Sequence, residues 1–545
     1  MKKQTTLDIA FIFGLSLCCH FLFSKYGFNP TDEGFVLSSS NRILHGQIPH
    51  IDFSSLRPLG YAYLHIPELL ISKRYMFLVS RYIFWLEQVL IAFLWVRLVQ
   101  QYLGVFQNAV FQYILMFTCL VFNVHYFPVA VLHTIDGLLF AVAGLFFLQK
   151  KSVILNLIGA LFFGFSVICK QGFIVMIPVA FILFWNKRIT LLLSFLPVLV
   201  YVILLYMKGG ATDLKMQLTG HTEIVDIGFK SYFFNLYFWL GVTTVIIVRR
   251  FKFFHIYWFF QLLLLCFLLV RFHYHGKLLF FYSGLLTAEI MIALINIKIP
   301  LYSMEPDKVY FENEEMSGTY HYAIYSGKIL RLAICTLAIM WCVSISIGYN
   351  TPALFLGGYW AFAALVFNMT TDAKSMHPSN YIVLILIASI FIYVRLHFIY
   401  RDGVSSKLTY QLGELVKGAS GIYTNKNTYD LIAEIAKIKK QQADKAIFLP
   451  DFTALQITTS HLSKIKTEWP NKTEIPNEQI LNKVASAIDF NDTSTYYYIA
   501  KYQTAQLADT LIPLVNNGLD YRIIRYVKEH TSKQGETRFF EIYHK

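Results

Sequence analysis

The sequence predicts a polytopic α-helical membrane protein of about thirteen transmembrane helices, followed by a small polar α/β domain. Three observations carry this prediction. Of the 545 residues, 56% are hydrophobic and only 15% charged, with a mean hydropathy of +0.50. A soluble chain of this length needs far more polar surface. The apolar residues also come in long runs, such as Leu7–Phe23, Tyr232–Val248, Tyr257–Val270 and Tyr381–Val394, and lack the short alternation of a barrel. Beyond residue 400 the composition turns polar, and about half of the 33 acidic residues lie there.

The apolar runs place spans at 7–23, 75–98, 103–122, 127–149, 152–169, 172–185, 189–206, 232–248, 253–270, 278–296, 328–347, 353–369 and 380–397. Residues 152–185 read either as two spans or as one long or broken helix, and Leu59–Leu70 as a segment dipping into the interface. The first helix follows Met1-Lys2-Lys3 without a small-x-small cleavage pattern, so it is read as retained. Lys2, Lys3, Arg97, Lys150, Lys151, Lys187, Arg188, Arg249, Arg250 and Lys252 all fall on one side of this count, which makes that side cytoplasmic. Residues 25–74 are then outside, as are the loops near 124–127, 170–171, 207–231, 271–277 and 348–352. The odd number of spans puts the tail outside too, in the cytoplasmic membrane of a bacterial-type cell. Lys73, Arg74 and Arg81 break the rule, and anchoring of an in-plane segment to headgroups accounts for them.

The division is therefore a membrane domain over 1–400, with its first outer loop at 25–74, and an extracytoplasmic α/β domain over 401–545. In the latter, Thr428–Gln442 reads as a helix, and Lys445–Leu449, Tyr521–Val527 and Arg538–Tyr543 as strands. The net charge of +14 belongs to the membrane domain, and reflects cytoplasmic flanks and anionic lipid, not nucleic acid. All seven Cys lie in or beside apolar runs, so no disulfide framework or CxxC metal site is expected.

The chemistry concentrates in the first loop. It reads Asn29-Pro30-Thr31-Asp32-Glu33-Gly34, then a short interfacial helix over Phe35–Leu44, then Asp52-Phe53 and Arg57-Pro58-Leu59-Gly60. A carboxylate here can take a proton from a hydroxyl or hold a divalent ion, and an Arg can clamp a phosphate. Helix capping and loop solvation explain the same residues without any chemistry.

Asp32-Glu33-Gly34, the spaced Arg42-x-Leu44-x-Gly46-x-x-Pro49, Asp52-Phe53 and Pro58-Leu59-Gly60 resemble the first loop of the C superfamily of membrane-embedded glycosyltransferases. The closest branch is the bacterial group similar to protein mannosyltransferases, aminoarabinose transferases and lipopolysaccharide sugar transferases. The specific motif is confined to residues 29–61, and Arg57-Pro58-Leu59-Gly60 departs from the usual Pro-Pro-Gly. The resemblance implies transfer of a sugar, hexosyl or pentosyl, from a polyprenyl-phosphate donor to a glycan, lipid or protein acceptor on the outer face of the membrane. It implies catalytic acids at Asp32, Glu33 and Asp52. Whether Mg²⁺ or Mn²⁺ assists, held by Asp32 and Glu33, stays open.

Other polar residues fall at the same outer ends. Arg57, Lys170, Arg271, His273, His275 and Lys277 are candidate donor-phosphate contacts, because a lipid phosphate needs several cations. His133, Asp136, Gln171, Tyr349 and Asn350 are candidate substrate contacts. For each, snorkelling or satisfied packing is the competing explanation. The absence of GxGxxG and GxxxxGK[ST] fits a donor that is already lipid-linked. A transporter or lipid flippase, or a noncatalytic envelope assembly protein, is the alternative.

Overall fold

The computed structural model describes residues 2–103, 109–219, 234–250, 276–296, 330–346, 378–457 and 465–545, less some single positions and short stretches, together with parts of 260–270 and the pair 349–350. The first eight helices are α1 (Lys2–Phe23), α2 (Phe35–Leu44), α3 (Gly60–Leu64), α4 (Ile66–Ile71), α5 (Met76–Leu103), α6 (Ala109–His125), α7 (His133–Leu148) and α8 (Val153–Cys169). Three helical stretches are long and apolar enough to cross a membrane: Gln4–Phe23, Met76–Gln101 and Trp185–Lys208. Shorter apolar helices are Gln112–His125, His133–Leu148, Val153–Cys169, Gln171–Leu183, Leu236–Val248, Leu330–Ser344 and Ile385–His397. Thirteen spans are not reached among the described residues. Of the others, 278–296 coincides with helix Gly276–Asn296, 353–369 lies outside the described residues and 253–270 largely so.

The helices pack through one continuous apolar core that includes Trp85, Trp95, Phe122, Leu138 and Phe163. At the crossing of α7 and α8, a Cβ on Gly144 would stand 3.0 Å from the Gly159 carbonyl oxygen, so small residues let these backbones close up. Phe21, Ile182, Ile189, Leu199, Ile203 and Met207 point outward and exposed, the apolar surface that lipid covers. After α8 the chain turns at Lys170 through a 3₁₀ segment (Gln171–Val175) and runs back as Met176–Leu183, which brings Lys187 to Asn156, so 152–185 is two antiparallel segments and not one broken helix.

The two ends of the bundle differ. At one, Arg97 donates to Asp8 (2.5 Å) and Gln112 (2.5 Å), Lys150 to Gln101 (2.8 Å) and Lys187 to Asn156 (3.1 Å). At the other, residues 25–74 pack against the C-terminal domain. The basic residue that broke the charge rule has a physical cause there. Arg81 is buried and paired with Glu33, so it anchors the first loop and not a headgroup; Lys73 and Arg74 remain exposed. Helix α2 forms where expected but does not lie open on the interface. Phe35 through Arg42 are all buried, beneath Thr453–Gln456 and against α3 and α4.

Two small antiparallel pairs come first: β1 (Ile345–Ser346) with β2 (Tyr349–Asn350), and β3 (Tyr410–Gln411) with β4 (Tyr423–Thr424). The tail domain is a four-stranded mixed sheet. Its strands are β5 (Ala446–Leu449), β6 (Tyr496–Ala500), β7 (Ser532–Glu536) and β8 (Phe540–His544), ordered β5-β6-β8-β7, with only β5 and β6 parallel. Side chains alternate between its faces. Ile447, Leu449, Tyr497 and Ile499 meet helices Glu478–Ala485 and Arg522–His530, while Phe448, Tyr498 and Phe540 face Lys426–Gln442 and the main core. Tyr521–Val527, expected as a strand, is instead the start of helix Arg522–His530. Its buried residues Ile523, Ile524 and Val527 recur at helical spacing, which outweighs their β-branched character. Strands β6 and β7 and helix Glu478–Ala485 had no counterpart in the sequence reading.

Candidate active site

The first loop is shaped by Asn29, whose side-chain oxygen accepts hydrogen bonds from the backbone N–H of Thr31 (3.0 Å) and Asp32 (2.8 Å). The tail domain holds it from above. Ala454 N–H donates to the Pro30 carbonyl (3.0 Å), Trp469 Nε1 to the Thr31 carbonyl (3.1 Å), and the Thr453 hydroxyl bonds the same carbonyl. A Cβ on Gly34 would stand 2.1 Å from the Ala454 nitrogen, so only glycine permits this contact.

The tight turn separates the two adjacent acids. Glu33 is buried and takes a bidentate contact from Arg81, Nε at 2.6 Å and Nη2 at 2.7 Å. Burial pushes its carboxyl pKa upward, and the Arg81 charge opposes that. Arg81 further donates to the carbonyls of Gly27 (2.5 Å) and Ser24. Asp32 faces a different way, with its side chain 17% exposed. Its Oδ2 accepts from the Tyr400 hydroxyl (2.7 Å) and from Arg401 Nη1 (2.8 Å). Among the described residues nothing donates to its Oδ1.

Asp32 and Glu33 both line a cleft of about 530 Å³, its open mouth included, together with Arg81, Pro128, Arg395 and Tyr400. Arg395 donates to the Phe127 carbonyl from both terminal nitrogens (3.3 and 3.2 Å), while its Nε is sealed from solvent without a hydrogen-bond partner. The sequence reading passed over Arg395, yet a charge inside an apolar span was the signal that could have found it.

Four of the candidate contacts gather on the far flank of α2. Arg57 is buried, pairs with Glu474 (2.9 Å), and lies over the rings of Phe35 (5.1 Å) and Trp469 (5.4 Å). Lys170 is buried in its interhelical turn, with Nζ 3.0 Å from the Val343 carbonyl. Burial and the Arg57 charge push its ammonium pKa down to about 7, against an opposing pull from Cys342. Gln171 donates to the Leu56 carbonyl (3.3 Å). His133 stands against Tyr61 (ring centroids 5.5 Å) and Phe35 (6.1 Å), both ring nitrogens buried without a partner.

The remaining candidates lie elsewhere. Asp52 accepts from Ile48 N–H (2.6 Å) and so closes its own turn. Asp136, one helical turn beyond His133, joins His65, Glu68 and Glu87 in a different cluster. Lys277 is exposed, its ammonium 5.5 Å from the Tyr237 ring centre. Tyr349 and Asn350 form β2, in a segment that follows soon after Val343 and hence Lys170. Arg271, His273 and His275 lie outside the described residues. Glu474, which neutralises Arg57, was missed because the partners are 417 residues apart.

No family model matches the chain, and no curated protein matches it. Among solved structures it is similar to the oligosaccharyltransferase of Archaeoglobus fulgidus, in a crystal structure with Zn and sulfate. The two are 12% identical with a TM-score of 0.41, over 90% of this chain and 68% of that one. At that identity and score the likeness fixes neither a family nor a reaction.

Proposed function

We propose that this protein is a membrane glycosyltransferase that moves a sugar from a polyprenyl-phosphate donor to a hydroxyl of a glycan, lipid or protein acceptor, at the outer face of a cytoplasmic membrane. The observation that carries the reading is the cleft at the first loop, which Asp32 lines with an unengaged carboxylate oxygen and Arg395 lines without an anionic partner among the described residues. The loop motif described above supports it. So does the position of the cleft, between the loop and the last described membrane helix, where a lipid-borne substrate can enter.

In the reaction the bond between the sugar's anomeric carbon and the phosphate oxygen breaks, and a bond from that carbon to the acceptor oxygen forms. The acceptor's proton passes to Asp32 Oδ1. Tyr400 and Arg401 hold Asp32 by its other oxygen, which fixes the direction in which the first one points. The departing phosphate gains negative charge, and Arg395 meets it from the cleft wall. Glu33 holds the loop through Arg81, so it is a positioning residue. Arg57 is already neutralised by Glu474; of the candidate cations on that flank, Lys170 alone has only a carbonyl as its hydrogen-bond partner.

The test is sugar transfer by the purified full-length chain in detergent, with labelled sugars on polyprenyl phosphate as donors and membrane glycolipid or surface glycan as acceptors. Label must move to the acceptor with release of polyprenyl phosphate. Movement of intact donor across a vesicle membrane without transfer would make the protein a flippase instead. Failure with every donor would leave an assembly role.

A further inference from the structure

We infer that His65, Glu87 and Asp136 hold a divalent metal ion of the borderline class that accepts mixed nitrogen and oxygen ligands, with Zn²⁺ the best match. The site is independent of the transferase reading: neither Asp32 nor the cleft around it contributes a ligand. Its residues come from three elements: the junction of α3 and α4, the interior of α5, and the first turn of α7.

Three observations support it. First, one ligand atom from each of the three side chains lies within 4.8 Å of the others, the spacing that a single ion needs. Second, the hydrogen bonds orient the imidazole so that one ring nitrogen faces into the cluster. Glu68 Oε1 stands 2.5 Å from His65 Nδ1, which fixes the proton on that nitrogen. The other ring nitrogen, Nε2, then turns a lone pair toward Asp136 Oδ1 at 3.1 Å. Third, Asp136 Oδ2 and Glu87 Oε2 are sealed from solvent with no donor, and Asp136 is only 1% exposed. Buried oxygens of this kind need a partner.

Protons are the alternative: an imidazolium at His65, with one proton shared between Glu87 and Asp136, leaves one excess negative charge, the same as a divalent ion on the neutral imidazole. The two sealed carboxylate oxygens beside the ring are what the ion would ligate. The Glu68–His65 contact is also the carboxylate–histidine–metal arrangement that raises the basicity of a ligating imidazole. Imidazole and two carboxylates suit Zn²⁺ better than Mg²⁺ or Ca²⁺, which favour all-oxygen sets. Three protein ligands leave a fourth position for water.

The full-length protein, purified without chelators, should contain about one Zn²⁺ per chain by elemental analysis. After chelation, Co²⁺ should restore thermal stability and give visible absorption bands of four-coordinate geometry. D136N and E87Q should lose the ion and the bands. E68Q should keep the bands and weaken Co²⁺ binding by about 10–100-fold, as expected of a positioning residue. A metal-free protein with no Co²⁺ bands and no thermal shift would overturn the site and leave a shared proton in its place. So would an ion retained equally by D136N and E87Q. If those variants fail to fold, chelation and Co²⁺ reloading of the wild type still decide.

Discussion

The dock between the first loop and the tail domain, and the cleft a few residues away, use the same side-chain types to opposite ends. In the dock nearly every buried charge is matched. Arg42 meets Glu468 at 2.6 Å and Arg57 meets Glu474 at 2.9 Å. Asp213 meets His50 at 3.0 Å and Lys483 at 2.8 Å; burial works against its ionisation, but these partners outweigh it and hold the carboxyl below its usual range. Asp402 accepts from Phe28 N–H, Thr424 and Asn425. In the cleft, Glu33 is matched by Arg81, whereas among the described residues Arg395 has no anionic partner and Asp32, paired with Arg401, keeps one carboxylate oxygen unengaged. Fully engaged pairs hold two parts of a chain together, whereas an open carboxylate oxygen and a cation without a counter-ion persist where a ligand completes them.

The sharpest way to break this comparison is to change the two adjacent acids separately. D32N should fold, express and bind donor lipid normally, with turnover lower by about 10²–10⁴, the usual loss on removing one general base. E33Q should act on stability instead, because it leaves Arg81 buried without its anion, while turnover per folded molecule stays near that of the wild type. Steady-state transfer rates beside thermal unfolding of both variants separate the two effects. Near-normal turnover in D32N would remove the catalytic reading of the cleft, and a loss confined to E33Q would move the role to Glu33.

Breaking the dock is the next largest effect. Arg42 is 2% exposed and also donates to Gln47 (2.9 Å) and the Ile465 carbonyl (2.7 Å). Arg42→Ala should destabilise the protein by about 3–5 kcal/mol, since Glu468 is left as an unpaired buried charge. Limited proteolysis should then release the tail domain at low protease. Resistance equal to the wild type would mean that the tail is held by its apolar contacts alone.

The sequence disclosed what periodicity and composition record. Long apolar runs gave the helices of the first 250 residues, and the polar shift after residue 400 gave the tail domain. Helix α2 was legible from Phe35 to Leu44, but its burial was not, because Thr453–Gln456 covers it from more than 400 positions away. The same limit explains why Glu468 and Glu474 were missed: a salt bridge between distant elements leaves no local pattern. Lys170, His133, Gln171 and Arg57 are expected from their outer ends to converge on one face, with Arg57, Lys170 and the Arg271–Lys277 cluster as one cationic lining. The fold brings the first four to one flank, Lys277 stands beside Tyr237, and Arg271, His273 and His275 lie outside the described residues. His65, Glu68 and Glu87 went unremarked, since they sit in separate segments with no metal-ligand spacing between them. Arg81 drew attention as an anomaly of charge, and its cause, Glu33, lay in the very motif under scrutiny.

The smallest effect tests which cation meets the donor phosphate, and pH separates the two that have a hydrogen-bond donor to spare. Arg395 carries a guanidinium, which stays charged throughout the accessible range. Lys170 lies at about 7, below its value in water, because of burial and the nearby Arg57. Between pH 7 and 10.5 the unfolded chain therefore binds more protons at this position than the native one. Native stability should rise with pH across that window, and K170M should remove this slope. If the phosphate lies against Arg395 in the Asp32 cleft, as proposed, polyprenyl-phosphate affinity should stay flat from about pH 7.5 to 9, above the phosphate's own second pKa of about 6, and R395Q should abolish it. If Lys170 made the contact, each binding event above pH 7 would take up a proton, and affinity would fall about tenfold per pH unit. Titrations of the wild type, R395Q and K170M with polyprenyl phosphate measure the difference. A falling affinity that K170M flattens would move the phosphate from the cleft to the far flank of α2. Asp32 would then have to act across the turn that ends at Phe35, about 11 Å of chain at most.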